Sequence, residues 1–400
     1  MSKLVVTLNA GSSSIKTAVY KIKHAVLDET PLLRASVSGI GGEGECRIQT
    51  DGEPDVRRPF RSSGGGHDDA WNCVFEAIDA GLAKAGYSPD AVSGVGHRIV
   101  HGGAHYCKPE RLDGTTLEAL AALCPLAPGH QPYNLDGVSH AQARWPEASQ
   151  MACFDTAFHR IQPRIAQLFA LPRQYEAGGV IRYGFHGLSY DYIAQAAPEI
   201  VGPAAAERMI VAHLGAGASL CALREGRSVA TTMGFTALDG LPMATRSGAI
   251  DPGVLIYLMQ QRKMDAAAIS DLLYNQSGLL GLSGVSGDMR VLLESDSKAA
   301  AEAVDYFVYH CIREIGALAG ALGGVDTLVF TAGVGENAAA IRAAILDGLG
   351  WLGFDCDHKK NNANGPLITT RKSSVPAWVI PTNEELMIAR SVANLAVDGF

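Results

Sequence analysis

Residues 4–20, LVVTLNAGSSSIKTAVY, decide the fold. Positions 4–7 are apolar or β-branched and read as a buried strand. The chain then turns through Asn-Ala-Gly-Ser-Ser-Ser at 9–14 and resumes as a second strand over 15–20, which makes a β-hairpin. Small residues with amides and hydroxyls form its tip, and Lys16 stands just behind. Successive backbone amides in such a tip make a concave nest for an anionic oxygen, and hydroxyls add donors. The strand-to-helix phosphate loop is a different device, because it closes on Gly-Lys-Ser/Thr. Taken alone, the segment also reads as an ordinary polar turn.

Residues 209–229, MIVAHLGAGASLCALREGRSV, repeat the scheme: strand, Gly-Ala-Gly-Ala-Ser tip, strand, then a Glu-Gly turn into a third strand. Two such hairpins about half a chain apart imply a duplicated fold. Residues 327–337, TLVFTAGVGEN, read as a buried strand ending in a glycine-rich loop before a helix. Loops at the carboxyl ends of strands are where α/β folds bind ligands. Together these features predict an α/β protein of two duplicated domains around an interdomain nucleotide cleft. That is the architecture of the actin-like ATPase, sugar kinase and acetate kinase superfamily, which is ribonuclease H-like. The resemblance implies a first domain of 1–150 with 383–400, holding acyl group and phosphate, and a second of 151–382, holding nucleotide.

Four hundred residues suit two domains rather than one core. Apolar content of 47% and charged content of 18% are those of a globular chain. A net charge of −8 without a basic stripe argues against a nucleic-acid partner, and it makes an anionic substrate depend on local cations. The eight cysteines lack paired metal spacing and read as buried thiols of a reducing compartment. No signal-peptide pattern or run of ~18 apolar residues is present, so a cytoplasmic location is expected.

Along the chain, 68–85 reads as an amphipathic helix. Residues 92–103, VSGVGHRIVHGG, bring His97, Arg98 and His101 to the end of a buried strand. Cations there suit capture of a carboxylate or phosphate, and Arg98 is the better candidate, since its planar fork matches a carboxylate bidentately. A helix over 117–135 breaks at Pro125, before a loop with His130. The strand MACFDTAF at 151–158 ends on Asp155, which fits metal or catalytic work or, equally, a helix N-cap. His186 lies between glycines in YGFHGLS, a poor place for a core histidine, and Arg246 stands in a long glycine-rich loop. The stretch SGLLGLSGVSGDMR reads as ending in a glycine-rich loop with Asp288 and Arg290; 299–322 is a helix; 358–364 reads as a solvated Lys/Asn turn. Glu384 and Glu385 fit helix capping or a metal role.

The motifs NAGSSSIK, GHRIVHGG, FDTAFH, YGFHG, HLGAGAS, MGFTALDGL, TRSG, SGLLGLSG, FTAGVGEN and PTNEEL resemble the acetate kinase family, in order, along nearly the whole chain. The resemblance implies reversible ATP-dependent phosphorylation of acetate to acetyl phosphate, with Mg2+ or Mn2+, by a homodimer. Carried over by motif, Asn9 and Glu384 position the metal, and Lys16, Ser12 and Ser14 sit near the transferring phosphoryl group. Arg98 holds the carboxylate and Asp155 is the active-site acid. His186, Arg246 and His130 steady the phosphoryl. The nucleotide lies against His213, Leu214, Gly215, Ala216 and Gly217, against Asp288, Met289 and Arg290, and against Gly333, Val334, Gly335, Glu336 and Asn337.

Several positions depart from the family pattern. Ala216 replaces an asparagine, Ala249 an acid, and FHGTSH has become FHGLSY. The implied acyl pocket is lined by Val100, Gly129, Phe185 and Ala237, and Gly129 and Ala237 are smaller than the usual Leu and Pro. Each extra buried methylene is worth roughly 0.8 kcal/mol, so a roomier pocket would favour propionate or a longer acid, unless Tyr133 refills the space. Superfamily ATPases that act as filaments or chaperones need neither Arg98 nor Arg246, which weighs against that reading. A chain that only binds nucleotide is the remaining alternative.

Overall fold

The computed structural model describes residues 3–24, 26–62, 64 and 66–397. Positions 1, 2, 25, 63 and 65, and the last three residues of the expected first domain, lie outside them. The chain forms two compact units, Met1–Ala157 with Asn383–Phe400, and Phe158–Thr382. The first boundary falls after Ala157 rather than at 150, because the strand ending at Phe154 is paired inside the first sheet.

Nine strands build the first sheet: β1 (Lys3–Ala10), β2 (Ser14–Lys23), β3 (Val26–Leu27), β4 (Leu33–Ser38), β5 (Glu43–Thr50), β6 (Val56–Arg61), β7 (Val92–Ile99), β8 (Glu110–Arg111) and β9 (Ser149–Phe154). The opening stretch is the expected antiparallel hairpin, with Asn9 opposite Lys16. β7 joins β1 in parallel and β9 joins β7 in parallel. The second sheet contains β10 (Arg208–Leu214), β11 (Ala218–Arg224), β12 (Arg227–Thr231), β13 (Thr327–Thr331) and β14 (Ala377–Val379). Its order, β12-β11-β10-β13-β14, repeats β4-β2-β1-β7-β9 with the same antiparallel and parallel pairings. The duplication read from the hairpins is therefore a duplication of whole sheets.

Helices cover these sheets through apolar stripes of helical period. In His67–Lys84, Trp71, Val74, Ile78 and Leu82 are buried in the core of the first hairpin. In Lys298–Leu322, Phe307, Cys311, Ile315, Leu318 and Leu322 face inward, and His310 is buried with them. The closing helix, Glu384–Val397, belongs to the first unit and lies directly on β7. A side chain at Gly96 would meet Ile388 at 2.4 Å, so glycine is what lets that helix approach.

Three glycine- or polar-rich segments are helical, two of them (332–337 and 358–362) where the sequence reads as a loop or turn. Residues 278–283 form a short helix (Gly278–Ser283), and 332–337 form a helical turn (Ala332–Asn337) entered through Ala332 at φ 66°. The Lys/Asn turn is also helical (His358–Asn362). Its Asn361 is buried against Arg342, accepting from Nε at Oδ1 (2.8 Å) and from Nη2 at the carbonyl (2.7 Å). Low intrinsic propensity was overridden by tertiary contact in each case.

Candidate active site

Register assembles a charged cluster in the first unit. Parallel pairing of β7 with β9 brings Asp155, the residue after β9, beside Arg98, and pairing of β7 with β1 brings in Asn9. Arg98 donates from Nε to both Asp155 oxygens (3.0 and 3.1 Å), from Nη2 to Asp155 Oδ2 (2.5 Å) and from Nη1 to Asn9 Oδ1 (3.1 Å). Asp155 is almost wholly buried, whereas the Arg98 side chain keeps 17% exposure. Burial works against the guanidinium charge, but Asp155 and then Glu384 hold it protonated, with its pKa displaced upward. Asn9 donates from Nδ2 to Glu384 Oε2 at 3.4 Å. Asn383 caps the closing helix by accepting from the Leu386 amide (3.2 Å), which leaves the Glu384 carboxylate to the cluster.

The other cations at the end of β7 have different work. His97 is buried against Gln150 (2.8 Å), and burial lowers its pKa to about 4. His101 is also buried, and its Nδ1 accepts from the Gly103 amide at 2.9 Å. Val100 is buried, its amide donating to Asn134 Oδ1 (2.9 Å). Gly129 is half-buried, with open space where a side chain would stand, and half-buried His130 immediately precedes the helix Gln131–Arg144. The Tyr133 ring stacks on His67, centroids 4.6 Å apart. Lys16 is exposed on β2, and Ser12 and Ser14 flank the tip.

The second unit assembles its own cluster around the β10–β11 tip. His186 sits at φ 58° just before the helix Gly187–Val201, stacked on His213 with centroids 4.1 Å apart. His186 Nδ1 is 2.8 Å from Ser219 Oγ, which lies 2.5 Å from the Tyr190 hydroxyl; His213 Nδ1 is 2.8 Å from Ser189 Oγ. A side chain at Gly217 would meet Arg246 Nη2 at 2.9 Å and His186 Nε2 at 3.2 Å, so both groups face the tip. Arg246 Nη1 donates to the Ala237 carbonyl (2.7 Å), and the Ala244 amide donates to Ala216 O (3.0 Å). The turn carrying Arg246 is gripped by the helix Gly278–Ser283, whose Leu279 and Leu280 amides donate to Met243 O and Ala244 O. Gly278 has φ 61°, and a Cβ there would stand 2.1 Å from Met243 O.

The remaining expected nucleotide residues divide. Asp288 caps the short helix Met289–Leu293 and pairs with exposed Arg290 (2.6 Å), while Met289 and Leu214 are core residues. Glu336 accepts from the Ala332 amide (2.9 Å) and the Thr382 amide (3.3 Å), holding the 332–337 turn in shape. Gly335 is buried and gives its carbonyl to Arg342 (2.9 Å); Gly333 and Asn337 are exposed and Val334 half-buried. Phe185 is buried, its carbonyl accepting from His159 Nε2 (2.9 Å). Sequence reasoning missed Asn134, Ser189, Tyr190 and Ser219. A buried polar residue on an apolar helical face was the one signal available for Asn134, whose Nδ2 also donates to Ala10 O at 2.6 Å.

Among the described residues no group of three or more His, Cys, Asp or Glu is arranged to hold a metal. The donor set nevertheless fits Mg2+, which binds through one or two carboxylates plus substrate phosphates and water. Glu384 is the available carboxylate, since both Asp155 oxygens face Arg98. Asn9, whose oxygen is turned to Arg98, orients Glu384 rather than offering a free ligand.

Duplicated sheets of this order, each with a small-residue hairpin and charged groups at its strand ends, fit the actin-like ATPase fold that the motifs implied. The profile of the acetokinase family matches residues 4–390. The chain is 48% identical to the acetate kinase of Methylocella silvestris, over 98% of this chain and 97% of that protein. It is 45% identical to the acetate kinase of Rhodopseudomonas palustris strain TIE-1, over the whole of both. Among solved structures, a propionate kinase from Francisella tularensis superposes with TM-score 0.87 at 34% identity, covering 98% of this chain and 99% of that one. Porphyromonas gingivalis acetate kinase superposes with TM-score 0.82 at 33% identity, covering 98% and 100%. The chain belongs to the acetokinase family. It is a kinase that uses ATP or ADP as co-substrate.

Proposed function

We infer that this enzyme phosphorylates acetate reversibly with ATP, forming acetyl phosphate by direct in-line transfer. The observation that carries the reading is the tethered Arg98. Three of its five N–H groups are spent on Asp155 and Asn9, leaving one on each terminal nitrogen for a carboxylate. Acetate, with a pKa near the ~4.3 of a Glu side chain, is ionised at pH 7 and is its own nucleophile. No general base is needed, so Asp155 orients Arg98.

The difficulty is bringing an anion against a polyanion, and positioning with charge stabilisation answers it. Buried Tyr190, its pKa pushed well up, keeps its proton and donates to Ser219. Ser219 then has its own proton for His186 Nδ1, which leaves Nε2–H to meet the phosphoryl group beside Arg246. In the first unit, Lys16, Ser12 and Ser14 at the hairpin tip, with His130, are assigned to phosphoryl binding. The nucleotide is held by the β10–β11 tip and the segments at 288–290 and 333–337. Mg2+, with Mn2+ as a substitute, is held through Glu384 and when bound neutralises phosphate charge.

We assign the working form as a cytoplasmic homodimer. No described helix is long and apolar enough to cross a membrane, and Ile250, Val254, Ile256, Tyr257 and Met259 expose apolar surface that a second copy would cover. Sedimentation at micromolar concentration tests this, and a monomer would refute it.

Chain length is the second reading, supported by the open space at Gly129 and the small Ala237. The test of both is ATP-dependent acyl phosphate formation, trapped with hydroxylamine, across formate, acetate, propionate and butyrate. A peak at acetate supports the first reading and a peak at propionate or beyond the second. No product from any acid refutes both and leaves a nucleotide-binding protein.

A further inference from the structure

We propose that His67, stacked on Tyr133, is a positioning residue that aims the Ser13 amide at the anion held by the first hairpin tip. The proposal rests on the reading of that tip as the phosphoryl-holding element. Four carbonyls around the tip are occupied by donors. Ala10 O accepts from Asn134 Nδ2 (2.6 Å), Ser13 O from the Ile40 amide (3.2 Å) and Ser14 O from the Gly11 amide (2.8 Å). Ser12 O lies 3.1 Å from His67 Nε2. A carbonyl only accepts, so Nε2 carries the proton.

The Ser12 carbonyl and the Ser13 N–H belong to one planar trans peptide and point in opposite directions. Fixing the carbonyl on His67 therefore fixes the amide away from it. Among the described residues no protein acceptor faces the amides of Ser12 or Ser13, as an anion nest requires. A flip of this single peptide would put a carbonyl where the nest needs a donor, and repel the phosphoryl oxygen.

His67 is itself held by little else. Its Nδ1 is buried with no partner, and its ring lies 23° from the plane of Tyr133. It opens the helix His67–Lys84, and Tyr133 lies in the first turn of Gln131–Arg144, so two helices brace one peptide. This gives Tyr133 a task other than refilling an acyl pocket.

The test compares His67→Phe, which keeps a flat ring and loses the donor, with His67→Gln, which keeps a donor, and Tyr133→Ala, which removes the stack. Full kinetics against ATP and acetate are measured with the melting temperature. A lost hydrogen bond of this kind predicts a fall in kcat of between about twofold and tenfold for His67→Phe. KM for acetate and the melting temperature should stay at wild-type values, His67→Gln should recover most of the rate, and Tyr133→Ala should fall between. Wild-type kcat in His67→Phe, or a loss that His67→Gln does not restore, overturns the proposal. If the wild-type enzyme phosphorylates no acid, the acid-kinase reading fails by itself. The affinity of His67→Phe for a non-hydrolysable MgATP analogue then decides this proposal: weaker than wild type supports it, and equal overturns it.

Discussion

Replacing Asp155 by Asn separates an orienting acid from a catalytic base. The change keeps shape and one acceptor oxygen but removes the charge that receives Arg98 Nε and Nη2. A hydrogen bond to a charged group is worth about 1.5–3 kcal/mol, and an uncompensated buried cation costs more. With the Arg98 side chain partly exposed and Asn9 still in place, the expected loss is about 2–4 kcal/mol. At 1.36 kcal/mol per decade, that is roughly 30-fold to 1,000-fold in kcat/KM for the acid. In the proposed role Arg98 would grip the carboxylate in ground state and transition state alike, so the loss should fall mainly on KM for acetate and leave KM for ATP within a few-fold. The assay is hydroxylamine-trapped acyl phosphate with each substrate varied in turn. A kcat that collapses while both KM values stay put would refute the orienting role and make Asp155 a proton acceptor.

Gly278→Ala should lower kcat at least tenfold and the melting temperature by several degrees, since a Cβ at φ 61° would drive Met243 O away from the Arg246 turn; thermal melts and kinetics check it. Gly129→Leu should shift preference from propionate towards acetate by about fourfold per methylene excluded, at ~0.8 kcal/mol each, read from kcat/KM across the acid series. His97 and His159 are buried with pKa values lowered by burial to about 4. The unfolded chain takes up their protons below pH ~6.5 while the folded one does not, so stability falls as pH drops from 6.5 towards 4. The slope is up to ~1.4 kcal/mol per pH unit for each. Denaturant midpoints from pH 7.5 to 5 measure it, and a flat profile would exclude the mechanism.

Both hairpins were legible because strand, small-residue tip and strand are local and repeat within the chain. Arg98, Asp155, His186 and Arg246 were legible as polar groups at strand ends or between glycines. The Arg98–Asp155 pair was hidden because it is created by the register of β7 with β9, across 57 positions. Tyr190 and Ser219 were hidden for the same reason, since only pairing of distant segments brings them to His186. The helix Ala332–Asn337 read as a loop because glycine content lowers propensity, and only its neighbours fix it as helical.

The closing helix on β7 has a consequence for how the protein is made. The second unit is one continuous run, Phe158–Thr382, whereas the first unit waits for its last stretch from the far end of the chain. Domains fold as units while the ribosome advances at about 5–20 residues per second. The later-translated unit can therefore be finished while the earlier one still lacks the helix that covers Gly96. Glu384 arrives in that same final segment. A nascent chain thus lacks the proposed acid-and-metal site until residue 384 has been made, so products truncated before it should be inert rather than partly active.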